Sequence, residues 1–276
     1  MLTKDTLDLI LGNALTAAQA KIDFPHGASL AVLPEAVRLH NLEPHELHRY
    51  RFRGRMATHS IVDFAEYVKR HAAAAEENAP AGFVDQDNMS SIIIFNLGTI
   101  DEPGHGDDTA TLALKATAAF RSLTKTVGNP LSQQDLAEWL EDWQQHLTAL
   151  MGEEELPLLQ AINGIRRMTI DSKKSSTSEV GDFSASRSQM DAIEARSLEV
   201  LPTGFTFEAV PYDGLPPVTI VLRLSVLTGS NAPILKLRWV GEESQREAIA
   251  QDFKRVLHEQ LGDGIPLTLG EFQLIK

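Results

Sequence analysis

Four arginines between positions 49 and 55 are the residues whose type and spacing most clearly suggest chemistry. Successive side chains of a strand point to opposite faces, so the alternation predicts a strand with Arg49, Arg51, Arg53 and Arg55 on one face. Their guanidinium groups would stand about 6 to 7 Å apart, near the spacing of phosphates along a nucleic-acid strand. The row would bind such a backbone, or pair with carboxylates of its own or a neighbouring subunit. We favour pairing with carboxylates, because the chain is acidic.

A second group of side chains has the donor atoms of a metal site. A loop rich in Gly and Asp contains His105, Asp107 and Asp108, and Asp85 and Asp87 would join them if a preceding hairpin folds beside this loop. These five residues would suit a metal-dependent hydrolase. Their spacing matches no EF-hand, however, and Gly, Asp and Pro are also the residues that turns require. We therefore favour a solvated loop over a metal site.

Other catalytic signatures are missing from the sequence. His45 and His48 lack the spacing that brings two zinc ligands one helical turn apart. The serine-rich stretch 172–188 has no Ser-x-x-Lys pairing, and the chain has no Gly-x-Ser-x-Gly elbow and no phosphate-binding glycine fingerprint. We therefore assign no catalytic residue and no cofactor, and the balance favours a protein that is not an enzyme.

Composition and charge limit the possible classes of protein. The chain has 276 residues, with 25 Lys and Arg against 38 Asp and Glu, so its formal net charge is −13 and it repels polyanions at long range. The absence of cysteine excludes disulfides and thiolate-bound metals. Apolar runs such as residues 92–95 are far shorter than the ~18 residues of a membrane-spanning helix. We expect a cytoplasmic protein without a membrane span.

Amphipathic helices are predicted where apolar residues recur at three- and four-residue intervals. Capping boxes, in which an acidic residue stands three positions after a serine, predict helix starts at Ser60, Ser132 and Ser244. The helix after Ser132 is expected to continue its apolar stripe to Leu147 and Leu150. Further helices are predicted over residues 3–20 and 153–167.

Strands are predicted from alternating or β-branched runs bounded by turn residues. A hairpin joins two of them through the turn at 85–88, and a half-buried strand begins at Thr109. Three later strands form a meander, because Asp213-Gly214 and the stretch 229–231 supply its turns. The predicted strands cover residues 83–84, 92–97, 109–117, 205–212, 218–227, 234–240, 267–269 and 272–275.

These elements predict an α+β fold, in which antiparallel sheets are flanked by amphipathic helices and a C-terminal three-stranded meander is covered by a helix. Residues 1–170 would form an N-terminal α+β region with a helix-rich middle, and residues 171–276 a C-terminal antiparallel sheet with a helix. A single continuous domain is the alternative. The boundary rests on residues 172–188, which we interpret as a linker, a mobile loop or an exposed hairpin.

Several stretches carry a family resemblance. Residues 109–114 and 131–142, followed by 182–184, 192–195 and 201–207, resemble the YfdQ-like family of phage and prophage proteins, and the likeness extends from about Ile61 to the C-terminal helix. The matching features are structural, namely a strand, a capped helix and a turn. The resemblance implies an accessory product of a temperate phage, made in the bacterial cytoplasm, with no assigned activity. It also implies that residues 172–188 pair as a hairpin.

The leading functional hypothesis is a non-enzymatic phage accessory protein that self-associates into a homo-oligomer or binds a phage or host protein. The alternative is a nucleic-acid-binding factor of phage recombination or replication that uses Arg49, Arg51, Arg53 and Arg55. The metal-dependent hydrolase is the third hypothesis.

Overall fold

The computed structural model describes residues 3–19, 44, 47–49, 51–73, 80–168, 201–227 and 233–273. The chain divides into two units, Met1–Arg51 and Phe52–Lys276. The first contains helix α1 (Lys4–Gln19), as the sequence predicts. All other described helices and strands belong to the second unit. The predicted boundary near residue 171 and the possible hairpin at 172–188 lie outside the described residues.

A five-stranded mixed sheet forms one part of the second unit. Its strands, in spatial order, are β1 (Gly54–Thr58), β4 (Asp108–Ala113), β3 (Ser90–Ile94), β2 (Ala81–Asp85) and β11 (Leu267–Leu269). The predicted hairpin is confirmed, because β2 and β3 pair antiparallel. The two outer pairs, β1 with β4 and β2 with β11, are parallel.

A six-stranded antiparallel sheet forms the other part. Its strands, in spatial order, are β5 (Pro130–Leu131), β10 (Ile234–Trp239), β9 (Val218–Leu227), β8 (Gly204–Ala209), β6 (Leu147–Met151) and β7 (Glu154–Leu156). Strands β8, β9 and β10 are consecutive neighbours, so the predicted meander is confirmed. The α+β class is confirmed with it.

Among the described residues, five helices of the second unit contribute side chains to its apolar core. They are α2 (Ile61–Ala72), α3 (Ala118–Thr126), α4 (Gln133–Asp142), α5 (Leu158–Arg167) and α6 (Glu242–Leu261). Ser60 caps α2 by accepting a hydrogen bond from the Asp63 amide, and Ser132 begins α4 with a complete capping box. Helix α4 packs on the meander, with its Trp139 ring stacked on Phe207, whereas the covering helix was expected to be the one predicted at Ser244. Helix α6 packs against α2.

Three helix predictions require correction. The α4 stripe does not reach Leu147 and Leu150, because the helix ends at Asp142 and these two residues form β6, where they pair with β8. The predicted helix over 153–167 begins only after Pro157, since residues before it extend the sheet as β7. Helix α6 begins after Gly241, whose φ of 69° makes a turn that glycine favours, so Ser244 lies inside the helix.

The second unit is held together by a continuous apolar core. The helices bury one face each, and for α2 that face is the predicted one of Ile61, Phe64, Ala65 and Val68. The fully buried Phe253 of α6 belongs to the same core. The outward faces of the sheets are therefore the places where polar side chains are presented.

Candidate functional site

The predicted arginine strand is wrong over most of its length. Strand β1 begins at Gly54, so Arg55 is the one arginine of the row that lies in it, and residues 49 and 51–53 are neither helix nor strand. Phe52 is turned toward α2, where its ring meets His71 edge-on at 5.4 Å. Arg49 and Arg51 belong to the first unit, whereas Arg53 and Arg55 belong to the second. A shared binding role for the four arginines stays a prediction.

The predicted metal ligands do not assemble into one site. Within the described part of the chain, no group of three or more His, Cys, Asp or Glu side chains is placed to hold a metal ion. Asp85 instead organises the hairpin turn: its carboxylate accepts hydrogen bonds from the side chain and amide of Asn88 and from the amide of Asp87, and these bonds lower its pKa. His105 is exposed.

Asp108 has the most unusual environment of the predicted site residues. It lies at the start of β4 opposite Gly54 of β1, it is 7% exposed, and its Oδ1 has no hydrogen-bond partner among the described residues. Burial raises the pKa of this carboxyl group, protonated His71 lowers it, and Asp107 raises it. Tyr67 stacks on His71 at 4.2 Å, and burial and the Asp108 charge raise the pKa of its hydroxyl group. A charged carboxylate in this position is destabilised, because burial removes it from water without supplying a hydrogen-bond donor to its Oδ1.

A basic surface that the sequence analysis missed lies on the outward face of the six-stranded sheet. Arg223 of β9 and Arg238 of β10 are direct cross-strand partners and both are exposed. Lys236 lies two residues before Arg238, on the same face. We call these three residues the basic face. The alternation of buried leucines with charged residues in both strands was the available signal.

The basic face has no internal charge compensation among the described residues. None of its three side chains forms an ion pair or hydrogen bond there. Strand β8, the other neighbour of β9, has Glu208 on this face, but Glu208 is opposite Thr219, four residues before Arg223. Like charges placed directly opposite each other destabilise a sheet. The arrangement is therefore suited to an anion supplied from outside the chain.

Helix α1 presents a second uncovered surface, in the first unit. Leu7, Leu9, Ile10 and Leu11 are between 49% and 66% exposed. Three of them, Leu7, Ile10 and Leu11, form the start of the helical apolar stripe, and Leu9 lies on the other side of the helix. A 16-residue helix is only marginally stable alone in water, and this one has its apolar stripe exposed.

The helices of the described residues are all too short or too polar to cross a membrane.

Comparison with known proteins identifies a family. The family model described as "Uncharacterized conserved protein (DUF2303)" matches residues 3–272, which is nearly the whole chain. No curated protein and no solved structure gives a significant match. The description of the family assigns no activity.

Proposed function

We propose that this chain, which belongs to the DUF2303 family of uncharacterised conserved proteins, is a non-enzymatic accessory protein. We further propose that it self-associates through α1. In line with the resemblance to YfdQ-like proteins, we further propose a phage or prophage origin and a role in the bacterial cytoplasm. The observation that carries self-association is the exposed stripe of Leu7, Ile10 and Leu11.

The partner we propose for this stripe is α1 of a second copy. Covering a half-exposed Leu or Ile contributes about 1 kcal/mol, so pairing two stripes offsets the marginal stability of the single helix. Charge does not oppose the pairing locally, because Lys4, Asp5 and Asp8 are the only charged residues of α1. The acidic surplus of the molecule acts weakly here, since salt screens charges beyond about 8 Å.

The direct test is the mass of the full-length protein by light scattering at physiological salt. Wild type is expected at a multiple of 30.3 kDa and Leu11→Asp at 30.3 kDa, because a carboxylate would be buried in the paired stripe. Leu9→Asp is the matched control: it makes the same change about 160° around the helix, so the oligomer should persist. A monomeric wild type, or an oligomer unaffected by Leu11→Asp, would refute pairing through α1.

A second candidate function is supported by the basic face. We propose that Arg223, Arg238 and Lys236 contact the phosphates of a nucleic acid, the role that the sequence analysis gave to the row at 49–55. Their uncompensated charge and their position on an open sheet support this role. If each copy contacts three phosphates, the logarithm of the binding constant for single-stranded DNA should fall with the logarithm of the salt concentration with a slope of about −2.

Binding of labelled single-stranded DNA at several salt concentrations tests this candidate. The double variant Arg223→Gln with Arg238→Gln should weaken binding and flatten the salt slope. The control pair Arg70→Gln with Arg121→Gln removes the same charge from exposed sites on two helices and should leave the slope unchanged. Equal effects of the two pairs, or binding abolished only by Ala at Arg49, Arg51, Arg53 and Arg55, would contradict the basic-face assignment.

A further inference from the structure

A cleft of about 480 Å³ lies in the second unit between α6, the turn that joins β2 to β3, and Phe120 of α3. Its apolar lining comes from Met89, Phe120 and Ile249, which are at most 6% exposed. Its polar lining includes Tyr212 and Arg246. The volume is within the range of small-molecule sites, and the lining combines an apolar base with six polar or charged side chains.

The turn that forms one wall is held in a fixed and strained conformation. Met89 has a φ of 50°, which is uncommon for a residue with a side chain, and yet it is buried in the base of the cleft. Asp85 fixes the two residues before Met89, because its carboxylate accepts hydrogen bonds from the backbone amides of Asp87 and Asn88. Gln86 ties the turn to α6 by donating to the Ala250 carbonyl at 3.3 Å. The cleft is therefore preorganised, and a ligand would not have to order it.

Arg246 is oriented by two neighbours and retains donor capacity. Its Nε and Nη2 donate to Glu242 Oε1 at 3.0 and 2.8 Å, and its guanidinium lies 5.2 Å from the centre of the Trp239 ring. Within the described residues Nη1 makes no hydrogen bond. An anionic oxygen in the cleft could accept a bond from this group.

The Tyr212 hydroxyl is a second donor toward the same space. It has no hydrogen-bond partner among the described residues. Burial raises its pKa, and the nearby charge of Arg246 lowers it. The group therefore stays protonated at neutral pH and can donate to an anion beside Arg246.

The charges of the lining restrict the ligand further. Asp87 and Glu247 also line the cleft, so among the described lining residues two carboxylates accompany one guanidinium, which already donates hydrogen bonds to Glu242. A phosphate dianion would be repelled by this set, and a simple cation would leave Arg246 and Tyr212 unused. We propose that the cleft binds a small zwitterion with an apolar body, such as an apolar dipeptide, whose carboxylate meets Arg246 and Tyr212 and whose ammonium meets Asp87 and Glu247.

Four probes test the charge requirement on the full-length protein by calorimetry. Leu-Phe has both charges and an apolar body, N-acetyl-Leu-Phe lacks the ammonium group, Leu-Phe-amide lacks the carboxylate, and Gly-Gly lacks the apolar body. We expect Leu-Phe to bind at least about tenfold more tightly than each of the others, as expected for a charged hydrogen-bonded group or a buried side chain. Absence of binding of Leu-Phe at about 10 mM, or equal binding of the capped probes, overturns the proposal.

Variants locate the site. Tyr212→Phe removes one hydroxyl group from the cleft and should weaken Leu-Phe about tenfold while leaving Leu-Phe-amide unchanged. Arg246→Gln should weaken Leu-Phe binding more strongly, whereas Arg255→Gln, which breaks two ion pairs on the same helix outside the cleft, should have no effect. Binding that survives both Tyr212→Phe and Arg246→Gln would assign the probe to another place and overturn the proposal.

Discussion

Replacement of Asp108 by Asn is expected to stabilise the protein at neutral pH. Asp108 is 7% exposed, and no group in the part of the chain that the structure describes forms a hydrogen bond with its Oδ1. An unpaired buried acceptor costs about 1 to 3 kcal/mol, and more when it is charged. Asn keeps the shape but carries no charge, so we expect a gain of about 1 kcal/mol, or about 2 to 4 °C in Tm for a unit of this size.

The pH dependence of the gain follows from the raised pKa of Asp108. Below the unfolded-state pKa of about 3.9 the carboxyl group is protonated in both states and carries no charge penalty. As pH rises toward the higher folded-state pKa, the folded state holds the proton longer than the unfolded state, so wild-type stability falls through this window. The advantage of Asp108→Asn should therefore grow from pH 4 upward and become constant above the folded-state pKa.

Thermal unfolding of wild type and Asp108→Asn at a series of pH values measures this difference, because the other carboxyl groups are common to both proteins. Asp107→Asn is the control: its carboxylate accepts a hydrogen bond from Asn96 at 2.9 Å, so its replacement should give no gain. If Asp108→Asn is less stable than wild type at pH 7, protonated His71 or another partner compensates the buried charge and the reasoning is refuted.

Three further changes test the fold. Ser132→Ala removes the capping box of α4 and should lower the free energy of unfolding by about 1 kcal/mol in urea titrations. Phe253→Ala should lower it by about 3 to 5 kcal/mol, whereas Leu159→Ala, at a side chain that is 72% exposed, should change it by about 0.5 kcal/mol or less. Gly204→Ala should lower the Tm through the β8–β9 pairing, because the added Cβ would overlap the carbonyl of Leu222.

Local patterns in the sequence predicted the elements whose boundaries are set locally. The buried face of α2 and the capping box at Ser132 were visible because a helix repeats every three to four residues and its first turn needs a side-chain acceptor. Leu147 and Leu150 continued the same spacing, yet they lie in β6, since pairing with β8 outweighs the spacing of single residues. That partner is more than fifty residues away in the chain.

The functional surfaces were harder to predict from the sequence, because they depend on contacts between residues that are distant in the chain. The alternation around Arg51 and Arg53 was typical of a strand, but the contact between Phe52 and His71 and the start of β1 at Gly54 override it. The basic face exists because β9 and β10 pair with Arg223 opposite Arg238, and this register cannot be read from either strand alone.

If both proposals hold, self-association and nucleic-acid binding are linked through the number of basic faces in one assembly. Each copy has one basic face, and three phosphate contacts give a weak site in a molecule of net charge −13. An assembly of copies joined through α1 contains several basic faces, and a strand long enough to reach two of them would make the second contact at a high effective concentration. Leu11→Asp should therefore weaken binding to long single-stranded DNA much more than binding to an oligonucleotide that covers one face. Equal weakening of both would mean that the stripe and the basic face do not act together.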